Sequence, residues 1–443
     1  MSTGSKIAIG IGTLAIIVIA ASFATGAYYL ISFRRGRSFF DEGVAAMNRR
    51  EYGPAIKGFK NAIQNRLAEP YKALAFEDLA FCENEKNQAS EAIRDYSEAL
   101  RLDSKAVFAW EARGQLYLDQ GNKDKAFDDF SKAILLDSNM DRALFNRGLI
   151  DLDRKHWPQA VADFSEAIRT SPAWSTAYYN RAIAYAHLGD LDRALASVEA
   201  TIQMNPHYAK AYAERGYIYS RKHDFEKAFA DFDEALRLQP EKPETYRDRG
   251  FAFIQAKQWS KALSDFNKTL ELKPNESVAL EGRSYTYEQM GDLDRAVADL
   301  TKVVDQTKSV SDYERRAYLY SRKRDYPRAL ADFREALRSA PDDEHALNNL
   351  AWFLATCPED SVRNAREAVA DATKACALSH WMNGKWLDTL AAAWAEAGSF
   401  DLAVSYEEEA FWCPDITEAI RGDMEKRRGL FQMHKPFRKP TEP

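Results

Sequence analysis

The sequence predicts an all-α fold: an α-solenoid of about eleven helix-turn-helix repeats, preceded by one transmembrane helix. Two observations predict it. After Arg37 one pattern of large and small side chains returns with a period of 34 residues, and Ile7–Phe33 form a long run without charged side chains. A solenoid grows by adding repeats, so a chain of 443 residues needs no single large core.

The repeat is clearest in two neighbouring copies, residues 209–242 and 243–276. Both have aromatics at positions 4, 11, 17 and 24, glycine at position 8, alanine at position 20 and proline at position 32. Positions 4, 8 and 11 share one face of a first helix, and positions 17, 20 and 24 share one face of a second. The small residues let the two helices approach closely, and the proline ends the second helix.

This pattern resembles the signature of the tetratricopeptide repeat. The resemblance covers nearly everything after Arg37 and implies repeats at residues 36–72, 73–106, 107–140, 141–174, 175–208, 209–242, 243–276, 277–309, 310–343 and 344–382, with an eleventh after them. The tenth repeat has a longer turn around Pro358. We therefore predict a membrane segment at 1–35, a solenoid at 36–417, and a capping helix with a disordered tail at 418–443.

The uncharged run Ile7–Phe33 is long enough to cross a bilayer with some excess. Three arginines follow it within residues 34–37, whereas only Lys6 precedes it. The positive-inside rule therefore predicts a single-pass membrane protein whose repeats lie in the cytoplasm. A cleaved signal peptide is the alternative, because small residues near Ala24 and Ala27 would permit cleavage and the repeats would then be exported.

Two charged positions of the repeat recur together. Arginine occupies position 7 at Arg113, Arg147, Arg181, Arg215, Arg249, Arg283 and Arg316, and aspartate occupies position 23 at Asp129, Asp163, Asp231, Asp265, Asp299 and Asp332. We interpret the two series as ion pairs between first and second helices, in preference to an anion-binding ladder of arginines. The spacing leaves open whether each pair forms within one repeat or between neighbours.

The sequence contains no recognisable catalytic arrangement. It has no P-loop, no GxGxxG motif after a strand and no nucleophile elbow. Its seven histidines and four cysteines lack metal-ligand or CxxC spacing, so we expect no metal and no cofactor. A net charge of −6 does not favour nucleic acid. We therefore expect no enzyme activity and identify no small-molecule substrate.

The resemblance implies that positions 2, 5, 9 and 12 or 13 of the first helices line a concave groove. Position 9 is aromatic in five successive repeats, and cations lie nearby at positions 2 and 13. The predicted groove residues are Lys210, Tyr217, Arg221, Phe251, Tyr285, Tyr318, Arg322 and Trp352. Aromatics flanked by cations suit an extended peptide or a helix of a protein partner. The alternative is that the rings only pack between neighbouring first helices.

Some members of the family clamp a partner's terminal carboxylate with Lys, Asn and Arg side chains. The residues around Asn146, Asn180 and Asn349 do not reproduce that clamp. The sequence therefore predicts a membrane-tethered scaffold that binds proteins without this kind of docking. An exported soluble binding protein and a regulatory subunit of a membrane enzyme complex are the alternatives.

Overall fold

The computed structural model describes Ser32 and residues 34–65 and 67–439, and in these ranges helices joined by turns make up the chain, without a strand. The uncharged run Ile7–Phe33 lies outside these residues except for Ser32, and of the membrane segment predicted at 1–35 only Ser32, Arg34 and Arg35 are described. Within the ranges given, no helix is both long and apolar enough to cross a bilayer.

The first helix, α1, covers residues 34–48. The following helices are α2 (Tyr52–Gln64), α3 (Glu69–Glu85), α4 (Ala89–Leu102), α5 (Val107–Asp119), α6 (Lys123–Leu136), α7 (Asp141–Asp153), α8 (Trp157–Thr170), α9 (Ser175–Leu188), α10 (Leu191–Met204), α11 (Ala209–Arg221), α12 (Phe225–Leu238), α13 (Pro243–Gln255), α14 (Trp259–Leu272), α15 (Ser277–Gln289), α16 (Leu293–Thr307), α17 (Val310–Arg322), α18 (Tyr326–Ser339), α19 (Glu344–Thr356), α20 (Ala365–Leu378), α21 (Gly384–Glu396), α22 (Phe400–Phe411) and α23 (Glu418–Gln432).

The described helices form two compact units, and the boundary between them falls between Glu214 and Arg215, within α11. In the first unit α3 packs on α4, α5 on α6, α7 on α8 and α9 on α10. In the second unit the same pairing runs from α13 with α14 to α21 with α22. The second helix of one pair also packs on the first helix of the next pair, as α14 does on α15. This is the all-α solenoid architecture that the 34-residue period predicts.

The core of each helix pair is built from the large and small positions of the repeat. The phenylalanines at position 24 are fully buried in several repeats, for example Phe130, Phe164 and Phe266. A Cβ atom at Gly148 would lie 2.9 Å from the ring of Phe164, closer than ordinary carbon contacts allow. Glycine at position 8 therefore provides the space that this ring fills, as the sequence pattern predicts.

Short turns join the two helices of a pair. Their residue at position 15 has a positive φ: it is glycine at Gly189 (φ 81°) and Gly291 (φ 81°), but histidine at His223 (φ 60°). The next residue is often an aspartate that caps the second helix: Asp224 accepts a hydrogen bond from the backbone N–H of Lys227 at 3.4 Å. Such caps satisfy N–H groups that the first turn of a helix leaves unpaired.

The longer turn around Pro358, residues 357–364, is held by Arg363. The Nη1 atom of Arg363 donates to the carbonyl of Cys357 at 2.8 Å, and its Nε atom donates to Glu396 on α21 at 2.9 Å. This arginine therefore fixes the connection between α19 and α20 against the following helix pair.

After the last pair, α23 packs mainly on α22 and buries Met424 and Phe431 completely. Residues 435–439 lie within the segment for which the sequence predicts a disordered tail. The backbone N–H of Lys439 donates to the carbonyl of Thr356 at 2.9 Å. The ring of Phe437 lies 5.9 Å from that of Trp352. A partly buried aromatic ring and a backbone hydrogen bond thus hold this polar-looking segment against α19.

Candidate functional site

The arginines at position 7 and the aspartates at position 23 form ion pairs within one repeat. The Nε and Nη2 atoms of each arginine donate to both carboxylate oxygens at 2.7–2.8 Å in six pairs, Arg113–Asp129, Arg147–Asp163, Arg215–Asp231, Arg249–Asp265, Arg283–Asp299 and Arg316–Asp332. This confirms the ion-pair interpretation. The hydrogen bond to Asp299 raises the pKa of Arg283 above its usual value.

The third guanidinium nitrogen of several of these arginines reaches the preceding repeat. The Nη1 atom of Arg113 donates to Ser97 at 2.9 Å, and that of Arg283 donates to Asn267 at 2.8 Å. Arg249 makes the equivalent contact with Asp233. Each of these arginines therefore ties two second helices together. Because its nitrogens are already engaged, the arginine series serves as a structural element of the stack.

Two repeats depart from the Arg–Asp pairing. In the fifth repeat Ser197 replaces the aspartate and accepts a hydrogen bond from Arg181 at 3.3 Å. In the second repeat Asp95 is buried and pairs with Arg94 at 3.0 Å. Burial also raises the pKa of the neighbouring Glu83, whose carboxylate lies 2.8 Å from the amine of Lys60. Buried charges are thus compensated here by other partners.

The aromatics at position 9 differ in exposure from those at position 24. As whole residues, Tyr217, Tyr285 and Tyr318 are 38%, 39% and 41% exposed, whereas the buried phenylalanines at position 24 reach 0%. Phe251 and Trp352 are half-buried. The repeat therefore carries two aromatic series, one that fills the core and one that faces outward from the first helices.

Four of the predicted groove residues come together around two neighbouring cavities of the second unit. Tyr285 and Tyr318 line a cavity of ≈ 430 Å³ beside α15 and α17. Tyr318, Arg322 and Trp352 line a cavity of ≈ 250 Å³ beside α17 and α19. The two cavities share Tyr318, and aromatic rings form much of the wall of the second. This arrangement can accept apolar side chains of an extended partner.

The remaining predicted groove residues lie on α11 and α13. Lys210 and Arg221 are exposed on α11, and the guanidinium of Arg221 lies 6.0 Å from the ring centre of Tyr217. Lys210 belongs to the first unit, whereas Tyr217 and Arg221 belong to the second. The ring of Phe251 packs edge-on against Phe266, with the ring centres 5.1 Å apart. This aromatic at position 9 therefore contributes to packing between helices as well as to the surface.

Polar contacts between neighbouring first helices shape the same surface. Arg322 pairs with Glu288 at 2.9 Å, and Asn349 donates to Glu314 at 2.9 Å. Burial raises the pKa of Glu314. Positions 5 and 12 of the repeat supply these glutamates, a signal that the aromatic pattern alone missed. No repeat pattern in the sequence places Lys439, which also lines the smaller cavity.

A metal centre does not emerge from the part of the chain that the structure describes. Within it, histidine, cysteine, aspartate and glutamate side chains form no group of three that could hold an ion. The four cysteines are free thiols, and burial raises the pKa of the Cys82 thiol to about 12. Such thiols behave as small apolar side chains.

Family models describe this repeat. Models of the tetratricopeptide repeat match residues 107–140, 145–209, 188–243, 216–284, 279–308 and 314–356, which together span more than half of the chain. This chain is a tetratricopeptide repeat protein. No curated protein matches it in sequence.

Several solved structures are similar to this tetratricopeptide repeat protein. MamA from Desulfovibrio magneticus is 21% identical and covers 39% of this chain and 97% of its own, with a TM-score of 0.36. YrrB, a TPR protein with an unusual peptide-binding site, is 17% identical and covers 42% of this chain and 95% of its own, with a TM-score of 0.37. Yeast Tom70 is 16% identical and covers 90% of this chain and 96% of its own, with a TM-score of 0.45.

Proposed function

We propose that this protein is a non-enzymatic scaffold, tethered to a membrane by residues 7–33, that binds protein partners through the outward-facing surface of its first helices. We call this surface the groove and define it by Lys210, Tyr217, Arg221, Phe251, Tyr285, Tyr318, Arg322 and Trp352.

The exposure of the aromatics at position 9 carries this proposal. Tyr217, Tyr285 and Tyr318 are each more than a third exposed. Large aromatic rings contribute much binding free energy when a partner buries them, and they are enriched at protein–protein interfaces. The cavities beside Tyr318 would receive apolar side chains of the partner, while Arg322 and its neighbours would orient polar ones.

A photoreactive residue at Phe251 in cells, followed by mass spectrometry, tests the binding function. We expect the crosslinked partner to be lost when Tyr217, Phe251 and Tyr318 are all replaced by alanine in a chain that keeps its helicity. In the parallel experiment the photoreactive residue stands at Tyr285, so that the Phe251→Ala change does not remove the probe itself. Undiminished crosslinking from Tyr285 in the triple variant would refute the groove as the binding surface.

The membrane tether rests on the uncharged run of residues 7–33 and on the arginines that follow it. Tethering would confine the groove to a membrane surface and so raise the local concentration of partners there. Protease treatment of intact and lysed spheroplasts tests the proposed cytoplasmic side: we expect the repeats to be degraded only after lysis. Degradation in intact spheroplasts would favour the exported protein, and amino-terminal sequencing would then show whether residues up to about Ala27 are removed.

A further inference from the structure

Residues 435–439, Lys-Pro-Phe-Arg-Lys, lie on the groove at its α17–α19 end; we call them the returning segment. The chain turns back after α23, where the backbone N–H of Lys435 donates to the carbonyl of Leu430 at 2.9 Å. Four residues later the backbone N–H of Lys439 donates to the carbonyl of Thr356 at 2.9 Å. Thr356 is the last residue of α19, so its carbonyl is among those that a helix end leaves without an intrahelical donor.

The side chains of the returning segment meet complementary groups. The ring of Phe437 lies 5.9 Å from that of Trp352, and the guanidinium of Arg427 lies 5.6 Å from the Trp352 ring and 5.7 Å from the Phe437 ring. Arg438 pairs with Glu396 on α21 at 2.6 Å. This end of the groove thus binds an aromatic side chain and, at the next residue, a cationic one.

The same segment meets the predicted groove residues. The amine of Lys439 lies 5.4 Å from the ring centre of Tyr318, and Lys439 lines the ≈ 250 Å³ cavity together with Tyr318, Arg322 and Trp352. Any partner that uses Trp352 and the Thr356 carbonyl must therefore compete with Phe437 and Lys439 for them.

We propose that the returning segment is an internal ligand of the groove, and that the partner presents the same chemistry there: an extended segment with an aromatic side chain followed by a basic one. This inference rests on the proposed function. The basic side chain of this motif has a defined partner, since Arg438 pairs with Glu396 at 2.6 Å although the same carboxylate also accepts from Arg363 at 2.9 Å. The partner displaces the returning segment and takes over its contacts.

The returning segment is held by few buried contacts, so a partner can displace it. Phe437 and Arg438 are only half-buried, and Lys439 is exposed. A tethered ligand nevertheless acts at an effective concentration of roughly millimolar for a short connection, so a free peptide of equal intrinsic affinity competes poorly with it. Weakening the returning segment should therefore open the site to a peptide added in trans.

The test uses a fluorescein-labelled peptide with the sequence of residues 433–439, Met-His-Lys-Pro-Phe-Arg-Lys, titrated with full-length protein in mild detergent and followed by fluorescence anisotropy. The double variant Phe437→Ala with Arg438→Ala should bind this peptide at least about tenfold more tightly than the unaltered chain, because its internal competitor is weakened. Lys435→Ala is the matched control: it removes a cation from an exposed position of the same segment and should leave affinity unchanged.

Two further measurements test whether the peptide occupies the site itself. Adding Trp352→Ala to the double variant should abolish the gain, and so should a peptide with alanine in place of phenylalanine. If Trp352→Ala alters helicity, a peptide with alanine in place of its arginine replaces this variant and should bind the double variant more weakly, because it lacks the cation that pairs with Glu396. Equal affinity of the unaltered chain and the double variant would overturn the inference, as would equal affinity for the two peptides.

The failure of this inference is distinguishable from that of the proposed function. A partner crosslinked from Phe251, together with peptide binding that does not respond to Phe437 and Arg438, would leave the scaffold function standing and remove the internal ligand. Enhanced peptide binding without any partner crosslinked from the groove would keep the internal ligand and remove the scaffold function.

Discussion

Replacing Arg427 by methionine should strongly destabilise the last helices. Arg427 on α23 donates to both carboxylate oxygens of Asp388 at 2.8 and 2.9 Å, and its Nε atom lies 3.5 Å from Glu407. All three side chains are buried. Methionine keeps most of the volume but removes the only cation of this cluster among the described contacts, so Asp388 is left as a buried charge. Breaking one side of a buried ion pair costs about 3–5 kcal/mol.

Replacing Glu407 should not destabilise the chain as replacing Arg427 does, because Glu407 is a second carboxyl group beside Asp388. Burial, and then the nearby Asp388, raise the pKa of Glu407 far above its usual value, so it is protonated at neutral pH in the folded chain. Glu407→Gln should therefore raise the free energy of unfolding at pH 7, by up to about 3 kcal/mol, because glutamine is already neutral whereas the glutamate must take up a proton on folding. A folded pKa above the unfolded one means that the wild-type chain loses stability as pH rises above the ordinary glutamate range, and the glutamine variant should lack this loss.

Hydrogen exchange of peptides from α21–α23, measured by mass spectrometry alongside urea unfolding, reports the local free energy of opening. Arg428→Met is the matched control, since Arg428 is the next residue of the same helix and lies 3.9 Å from an exposed carboxylate of Glu408. Its loss should cost less than about 1 kcal/mol. Equal destabilisation by the Arg427 and Arg428 variants would refute the argument.

Further expectations follow from the core and from burial. Gly282→Ala should cost about 1–3 kcal/mol, because its Cβ would lie 2.5 Å from the ring of the fully buried Phe266, whereas Gly422→Ala, with nothing within 4 Å, should be neutral or stabilising in urea unfolding. Equal effects would contradict this packing. Phe164→Ala should cost about 3–5 kcal/mol by the same measurement, and a loss below 1 kcal/mol would contradict its burial. Burial raises the pKa of Asp78 to about 6, so Asp78→Asn should stabilise the chain relative to wild type by up to about 3 kcal/mol at pH 7.5 and by little at pH 4; a constant difference across this range would argue against the shift.

Much of the fold could be predicted from the sequence because the information is local. Residues three and four apart in sequence form one face of a helix, and one helix pair is contained in a single repeat of 34 residues. The small residue at Gly148 and the large one at Phe164 lie within that repeat, as do Arg147 and Asp163. Their spacing in the sequence therefore indicates these contacts.

The groove was accessible to the same reasoning only in part. Periodicity placed the aromatics on one face of the first helices, but it gave no measure of their exposure. Phe251 rests on Phe266 while Tyr318 remains 41% exposed, although both occupy position 9 of their repeats. The glutamates that pair with Arg322 and Asn349 come from the preceding repeat, so they depend on the stacking.

The sequence by itself determined the helices, their pairing and the chemistry at each repeat position, because those follow from contacts within one short period. Only the tertiary structure decided where the non-repeating residues go. Arg427 meets Asp388 from 39 residues away, and Phe437 returns to Trp352 on α19. These partners do not lie at a spacing that recurs in the repeats. The packing of α23 after the last helix pair brings them together, and the repeat pattern of the sequence does not predict that packing.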